Sequence, residues 1–378
     1  MNTLRSLLPI ATLALLPALS SCGDVPLGPA PLSEDALAAI TADAGAPTSE
    51  LAREVDDLFT HEGLGETRAL VLMQDGKVAA ERYSPGYGPD TRFVSWSMAK
   101  TVTAVMIGML VADGRLRLDE HAPVELWHRS GDARGEITLR QLLQMRSGLR
   151  HTEAGDPPYE SSEVRMLFLD GRDDMARWAE EQPLEAEPGA KFEYSSNTSV
   201  ILADIAARAL TDSEDPEIRR RAVADFLEAR LFAPLGMTSM APEFDASGTL
   251  IGGSLIHGTA RDWARLGEFL RRKGTGPGGE QLVPSRWVEQ MVTPSPRSPQ
   301  YGFQTWLNRP LDDPEEEHPL FPDRAPASLF SLIGHMGQYV IVSPQQRLTV
   351  VRLGHSNTQE RIAMLQQLAD VIELYPVR

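Results

Sequence analysis

Apolar residues fall into helix-like and strand-like patterns that outline the fold. Leu51, Val55, Leu58 and Phe59 share one face of a predicted helix, with Ser49 placed to cap its start. Residues 69–73 and 78–83 then read as two strands flanking Asp75-Gly76, a strong hairpin signal. After a polar loop, an almost unbroken apolar stretch predicts a helix from about 97 to 111, ended near Gly114. The middle of the chain, about 116–250, reads as helical segments broken by Pro and Gly, clearest over 139–145, 163–182 and 199–209. Thr259 followed by Asp262 resembles a capping box opening a helix over 260–271. Strand-like runs return at 302–307, 339–342 and 348–353, and a last amphipathic helix carries Ile362, Leu365, Leu368 and Ile372. Strands near both ends with helices between and beyond them predict an α/β lobe built from about 49–115 and 251–378. A mostly helical lobe, about 116–250, is inserted in it. The length of 378 residues, more than one core usually fills, fits two lobes.

The first residues follow a different logic. Residues 1–21 carry Arg5, an apolar run over 7–19 and small residues ahead of Cys22, which describes a secretory signal too short to span a bilayer as a helix. Its end, Leu19-Ser20-Ser21-Cys22, resembles the lipobox of bacterial lipoproteins, in which the cysteine is lipidated and becomes the new N-terminus. Cys22 is the single Cys of the chain. The expectation is an extracytoplasmic, membrane-anchored lipoprotein; the alternative is a plain secretory signal with an incidental Cys. Residues 22–48, rich in Pro, Ala, Gly and Asp, are expected to form a flexible tether between lipid and the body at 49–378.

Composition narrows the function by exclusion. With 36 Lys+Arg against 53 Asp+Glu the formal net charge is −17, which argues against nucleic acid as a partner. One Cys rules out a thiolate metal cage, and the eight His are scattered without ligand-like spacing. The nucleophile elbow G-x-S-x-G, the phosphate-binding G-x-x-x-x-G-K-[ST] and the zinc motif H-E-x-x-H are all missing. No metal or cofactor is implied.

One motif carries chemistry. Ser97-Met98-Ala99-Lys100 is S-x-x-K, in a chain with only four Lys. Ser97 sits where the polar loop enters the apolar helix, and Lys100 follows one turn later on the same face. A serine hydroxyl attacks well only when a neighbour takes its proton. An amine in an apolar setting near a helix's positive end has its charged form disfavoured and can serve. The bland alternative is a capping Ser and a solvated Lys. Against it, Thr101-Val102-Thr103-Ala104-Val105-Met106-Ile107 has too few polar residues for a surface helix.

The run Phe93-Val94-Ser95-Trp96-Ser97-Met98-Ala99-Lys100, continued by Ala112-Asp113-Gly114-Arg115-Leu116, resembles the nucleophile helix of the serine β-lactamase-like hydrolases. These include class C β-lactamases, DD-peptidases, esterases and 6-aminohexanoate-oligomer hydrolases. In the same order, Ile137-Thr138-Leu139-Arg140-Gln141-Leu142-Leu143 with Ser147-Gly148-Leu149 is similar to a family stretch, and so is Phe192-Glu193-Tyr194-Ser195-Ser196-Asn197 after Pro188-Gly189. Leu231-Phe232-Ala233-Pro234-Leu235-Gly236-Met237 and Gly252-Gly253-Ser254 are further landmarks. Gly334-His335-Met336-Gly337-Gln338 stands where the family has K-T-G or H-x-G. The resemblance spans roughly residues 50–375. It implies a β-lactamase/transpeptidase-like α/β (α+β) fold, an antiparallel sheet flanked by helices with the inserted helical lobe.

The resemblance also implies site roles. Ser97 would be the nucleophile, Lys100 its proton acceptor and Tyr194 the second acid/base, its phenol losing a proton more easily beside an amine. The backbone N–H groups of Ser97 and Gln338 would form the oxyanion hole. Gly337 would let the strand approach closely, and His335 and Asn197 would bind substrate. Two departures matter: class C enzymes have Y-x-N where this chain has Tyr194-Ser195-Ser196, with Asn197 one place later, and His335 replaces a Lys. Both fit the esterase and oligoamide-hydrolase branch better than β-lactam chemistry. The acidic run Leu311-Asp312-Asp313-Pro314-Glu315-Glu316-Glu317 is either a solvated loop or an overhang that disfavours anionic substrates. The expected activity is hydrolysis of a small ester, amide or peptide-like substrate through a Ser97 acyl-enzyme. The alternatives are a β-lactamase or DD-peptidase, and a binding lipoprotein that keeps the fold without turnover.

Overall fold

The computed structural model describes residues 31–311 and 319–378. The expected signal segment, Cys22 and residues 312–317 of the acidic run lie outside them. Among the described residues the strands are β1 (Glu66–Gln74), β2 (Lys77–Tyr83), β3 (Phe93–Val94), β4 (Ala241–Pro242), β5 (Ile256–Gly258), β6 (Trp306–Leu307), β7 (Phe330–Gly334), β8 (Gln338–Ser343) and β9 (Leu348–His355). A six-stranded antiparallel sheet runs in the order β2-β1-β9-β8-β7-β6, and β3-β5-β4 forms a small second sheet. The predicted hairpin joins β1 to β2, with Gln74 opposite Lys77. Asp75 and Gly76 both stand at positive φ (51° and 79°), as a tight hairpin turn requires.

Period-two alternation sorts the sheet's side chains into two cores. On β1, Ala69 and Val71 enter one core while Leu70 and Leu72 enter the other. Val340 and Val342 of β8 oppose Tyr339 and Ile341 in the same way, and Val351 and Leu353 of β9 oppose Leu348 and Val350. Both faces are therefore covered, which explains why these runs read as continuously apolar.

The helices are α1 (Glu34–Ala38), α2 (Thr48–Thr60), α3 (Ala99–Ala112), α4 (Leu139–Leu143), α5 (Ser162–Phe168), α6 (Met175–Glu180), α7 (Ser196–Leu210), α8 (Pro216–Leu227), α9 (Ala233–Leu235), α10 (Ala260–Arg271), α11 (Ser285–Met291) and α12 (Thr358–Glu373). Helices α2 and α12 close the outer core; α10 and α3 belong to the inner one, which runs on into the inserted lobe of α4–α9. Residues 99–110 of α3 are all buried. Its two threonines reach out of the helix, Thr101 Oγ1 donating to Gln304 O at 2.8 Å and Thr103 Oγ1 to Gly252 O at 2.9 Å.

Local details depart from the sequence expectations. Helix α2 starts at Thr48 after Pro47, so Ser49 lies inside the first turn and does not cap it. Thr259 caps α10 by accepting from Asp262 N, but the Asp262 carboxylate turns to Ser239, and Thr259 N donates to Ser239 Oγ; the reciprocal half of the box goes elsewhere. The run 163–182 is two helices because Asp174 caps a fresh start at Met175. Within 302–307 only Trp306–Leu307 is strand, since Gln304 stands at φ 52°. Ile362, near the start of α12, is 48% exposed, while Met364, Leu365, Leu368 and Ile372 are buried. The tether expectation is corrected over residues 33–46. That segment forms α1 and a strap along β2, with Thr41 N donating to Ala79 O at 2.9 Å and Glu81 N to Ala39 O at 2.9 Å. Small Ala36 and Ala44 are buried under it, and the strap covers what would be an open sheet edge.

Candidate active site

The chain leaves β3 and makes a single 3₁₀ turn, Trp96–Met98, before α3 begins. The turn is pinned by Ser95, whose N–H donates to Ile256 O at 3.0 Å and whose Oγ accepts from Ile256 N at 3.1 Å. Trp96 takes φ 45°, a left-handed conformation costly for a bulky residue and held here by its surroundings. Ser97 follows at the mouth of α3. One turn on, Lys100 is only 1% exposed, and its Nζ donates to Ser97 Oγ at 2.8 Å, Ser196 Oγ at 2.7 Å and Gly253 O at 2.9 Å. All three ammonium protons are thus directed. Gly253 is required by close approach: a Cβ there would stand 2.7 Å from Ser196 O.

Tyr194 comes from the segment leading into α7, in the inserted lobe. Its ring packs on Tyr301 (5.7 Å, 86°) and Trp306 (5.2 Å, 36°), and Lys100 Nζ lies 4.8 Å from its centroid. Its hydroxyl interacts with both Ser97 and Lys100. Burial pushes the phenol's pKa up; the Lys100 charge pulls it back without cancelling the shift. The nearby amine does make this phenol easier to ionise, as expected, but burial outweighs it and the net shift is upward.

For Lys100 the expectation is corrected in sign. Burial is the largest single influence and pushes its pKa down, but Tyr194, Glu153 and Glu163 together outweigh it and leave the amine raised. After Tyr194, two carboxylates that the sequence reading did not single out contribute to this. Glu153 Oε1 lies 3.7 Å from Lys100 Nζ. Ser196 joins the groups: its Oγ is 2.7 Å from Glu153 Oε1 and 3.0 Å from Glu163 Oε1, and its N–H donates to Glu153 Oε2 at 2.6 Å. Burial first, then the Glu153 charge, pushes Glu163 up to about 7.

Ser196 thus occupies the place, two residues after the tyrosine, where class C enzymes carry Asn. Asn197 is fully buried and turned away, donating to Ser162 O at 3.3 Å and packing on Met166 Sδ. It supports α5 and lies out of reach of substrate, so its expected binding role is corrected.

From the sheet, the β7–β8 turn closes the other side. His335 packs edge-on against Trp96 (5.6 Å, 83°), and burial, with Arg361 and His355 nearby, holds it below its ordinary pKa, hence neutral at pH 7. Gly337 stands at φ 84° and its carbonyl accepts from Arg352 Nη1 at 2.8 Å. Gln338 begins β8; its side chain is sequestered, donating to Gly354 O at 2.7 Å and accepting from Gly354 N at 3.0 Å, which leaves its backbone as the part relevant to a site. A cavity of about 520 Å³ lies between these elements, lined by Trp96, Ser97, Glu153, Glu163, Tyr194 and His335 among others. Its far wall is apolar, from Pro158, Val164, Leu167 and Phe168, with Arg361 of α12 at one side.

The structure therefore brings Ser97, Tyr194 and His335 to one cavity, with Lys100 buried behind Ser97; Cys22 lies outside the described residues. Glu153, Glu163, Ser196 and Trp306 were missed. Glu153 stands four residues after the Ser147-Gly148-Leu149 landmark and Ser196 at the Y-x-N position, so both carried a faint signal. Among the described residues no group of three or more His, Cys, Asp or Glu is placed to hold a metal.

Comparison with known proteins bears on the family and the fold. A family model described as beta-lactamase matches residues 63–373. A 6-aminohexanoate-dimer hydrolase of Paenarthrobacter ureafaciens is 27% identical over 241 residues, 60% of this chain and 57% of the relative, so the chain spans little over half of that protein's length. Among solved structures, a Bacillus anthracis protein provisionally named a 6-aminohexanoate-dimer hydrolase superposes with TM-score 0.63 at 22% identity, covering 82% of this chain and 80% of that one. A family VIII carboxylesterase superposes with TM-score 0.59 at 14% identity, covering 87% and 98%. At these identities the two structures show a shared fold.

Proposed function

The chain belongs to the beta-lactamase family, and from that premise we propose that it hydrolyses an ester or amide through an acyl-enzyme on Ser97. The observation that carries the reading is Lys100 Nζ at 2.8 Å from Ser97 Oγ, inside a cavity large enough for a small substrate. Ser97 Oγ attacks the carbonyl and Lys100 receives its proton. Tyr194 passes a proton to the leaving group, and water then releases the acyl group by the reverse path. The oxyanion is held by the backbone N–H groups of Ser97 and Gln338, fixed dipoles that need no reorganisation as charge develops.

Within the family, the surroundings favour an ester or a linear amide over a β-lactam. His335 is neutral where a fixed cation would hold a lactam carboxylate, and Glu153 and Glu163 line the cavity beside Ser97. The P. ureafaciens relative's name adds short linear amides to the substrates worth assaying.

A fluorophosphonate probe and a labelled penicillin, applied to the purified body, test the reading. Fluorophosphonate on Ser97 without penicillin supports it. Penicillin labelling moves the assignment to a β-lactamase or cell-wall peptidase, and labelling by neither moves it to a binding lipoprotein. Location is part of the proposal: Leu19-Ser20-Ser21-Cys22 directs lipid attachment and anchors the enzyme outside the cytoplasm. Incorporation of labelled palmitate, lost in Cys22→Ala, is the expected result; incorporation that persists in that variant contradicts it.

A further inference from the structure

The hydrogen bonds around Ser97 leave one step without an actor. The net shift on Lys100 is upward and so is that on Tyr194, so at neutral pH the amine is an ammonium and the phenol keeps its proton. Neither can take the Ser97 proton until the ammonium has given one up. The hydrogen bonds offer a single outlet that leads away from Ser97 and Tyr194.

We propose that Ser196 and the Glu153–Glu163 pair form a proton relay that discharges Lys100 before Ser97 attacks. The proposal rests on the assignment of Ser97 as nucleophile and Lys100 as its proton acceptor. Ser196 Oγ is the hub: Lys100 Nζ donates to it at 2.7 Å, and two carboxylate oxygens approach it, Glu153 Oε1 at 2.7 Å and Glu163 Oε1 at 3.0 Å. A hydroxyl has one proton to donate and two lone pairs. The hub is fully satisfied in one way: it accepts from Lys100 and from a protonated Glu163, and donates to an ionised Glu153. Two ionised carboxylates meeting at one hydroxyl would repel each other, so the pair shares a proton near neutrality.

The transfer is balanced. An Nζ–H bond of Lys100 breaks as an Oγ–H bond forms on Ser196, and the former Oγ–H proton moves to Glu153 Oε1. An ammonium–carboxylate pair becomes an amine and a carboxylic acid, with no change in net charge, which a buried site tolerates better than water does. The N–H of Ser196 holds Glu153 Oε2 at 2.6 Å and keeps the acceptor in line. Lys100 can then take the Ser97 proton across 2.8 Å. Glu153, Glu163 and Ser196 are positioning residues in this scheme, since they act through Lys100.

Other groups face the cluster. Tyr194 and Tyr301 are held neutral by burial, Arg361 stays charged at any working pH, and His335 titrates below its ordinary value. Of these only His335 titrates on the acid side, so a limb that survives removal of the Glu153 carboxylate would be its own.

The test is the pH profile of kcat/KM for p-nitrophenyl butyrate in wild type, Glu153→Gln and Ser196→Ala, with fluorophosphonate labelling of Ser97 followed by mass spectrometry. In wild type the rate should fall on the acid side as the acceptor carboxylate is filled by a proton from solvent. Glu153→Gln removes that acceptor, so kcat should fall about 10²-fold and the acid limb should disappear. In Ser196→Ala kcat should fall about 10²-fold with KM little changed. An acid limb that persists in a folded Glu153→Gln overturns the relay, even if activity drops, because a purely structural role would lower the rate without removing the limb. That variant decides the question alone if Ser196→Ala does not fold. Wild-type enzyme that labels at Ser97 while the limb persists in Glu153→Gln refutes the relay only; wild-type enzyme that does not label refutes the underlying assignment and the relay with it.

Discussion

Gly253→Ala perturbs the site without removing any catalytic group. The Gly253 carbonyl is one of the three acceptors that orient Lys100, and its Cα faces the first residue of α7. An added Cβ would stand 2.7 Å from Ser196 O and 3.2 Å from Ser196 Cα, both backbone atoms that cannot rotate away. Restoring ordinary contact at 3.4 Å requires a separation of about 0.7 Å between residue 253 and the start of α7. Forcing a backbone shift of this kind in a packed interior costs about 1–3 kcal/mol. The same shift lengthens the bonds that fix Lys100 and moves Ser196 and the Tyr194 segment together. Misplacement approaching 1 Å at a reacting pair costs up to about 10²-fold in rate, so kcat on a p-nitrophenyl ester should fall by about 10- to 100-fold while KM, set by the distant apolar wall, changes little. Thermal unfolding should show a lower Tm with a single transition. A variant with kcat within about twofold of wild type and an unchanged Tm would refute the reasoning, because residue 253 and the start of α7 would then have room for a methyl group between them.

Three further outcomes follow from the same geometry. Tyr194→Phe removes only the hydroxyl from a ring held by Tyr301 and Trp306, so kcat/KM should fall about 10²- to 10³-fold with stability nearly unchanged in urea denaturation; a loss under threefold contradicts the proton-transfer role. Trp306→Ala removes the ring that packs on Tyr194 and should lower kcat about tenfold while fluorophosphonate still labels Ser97; unchanged kcat contradicts the positioning. In the inserted lobe, Glu180 is buried beside Asp204, with Arg208 Nη2 3.7 Å from its Oε1, and burial together with Asp204 raises it to about 8. The folded state therefore binds this proton more tightly than the unfolded chain. Its contribution is fully present below the ordinary carboxylate range and is lost as pH rises through about 8. Glu180→Gln should lose less stability than wild type between pH 5.5 and 9 in urea titrations, and an equal loss in both proteins contradicts the assignment.

The fold was legible in the sequence wherever pattern and packing agree. The 69–83 hairpin, the buried helix after Ser97 and strands β8 and β9 all announce themselves by period and turn chemistry, because both sheet faces and residues 99–110 of α3 are buried. Legibility failed where a competing local bond wins. Asp262 prefers Ser239 to the box it could close with Thr259, Asp174 starts a new helix inside an apparently continuous one, and the strap at 33–46 is held by backbone pairing with β2 that composition cannot show. At the site, S-x-x-K revealed the nucleophile and its amine because their spacing is local. The charge state of Lys100 was read with the wrong sign because Tyr194, Glu153 and Glu163, more than fifty residues away in the chain and brought in by the inserted lobe, together outweigh burial. Asn197 was matched to a family position by residue type, while Ser196 holds that position in space.

Mass spectrometry of the enzyme quenched during turnover of p-nitrophenyl acetate bears most directly on the central claim. The account predicts a single acetyl group on the peptide containing Ser97, chased away by longer incubation and lost together with turnover in Ser97→Ala. An acetyl group on another residue, or turnover that survives in Ser97→Ala, contradicts it.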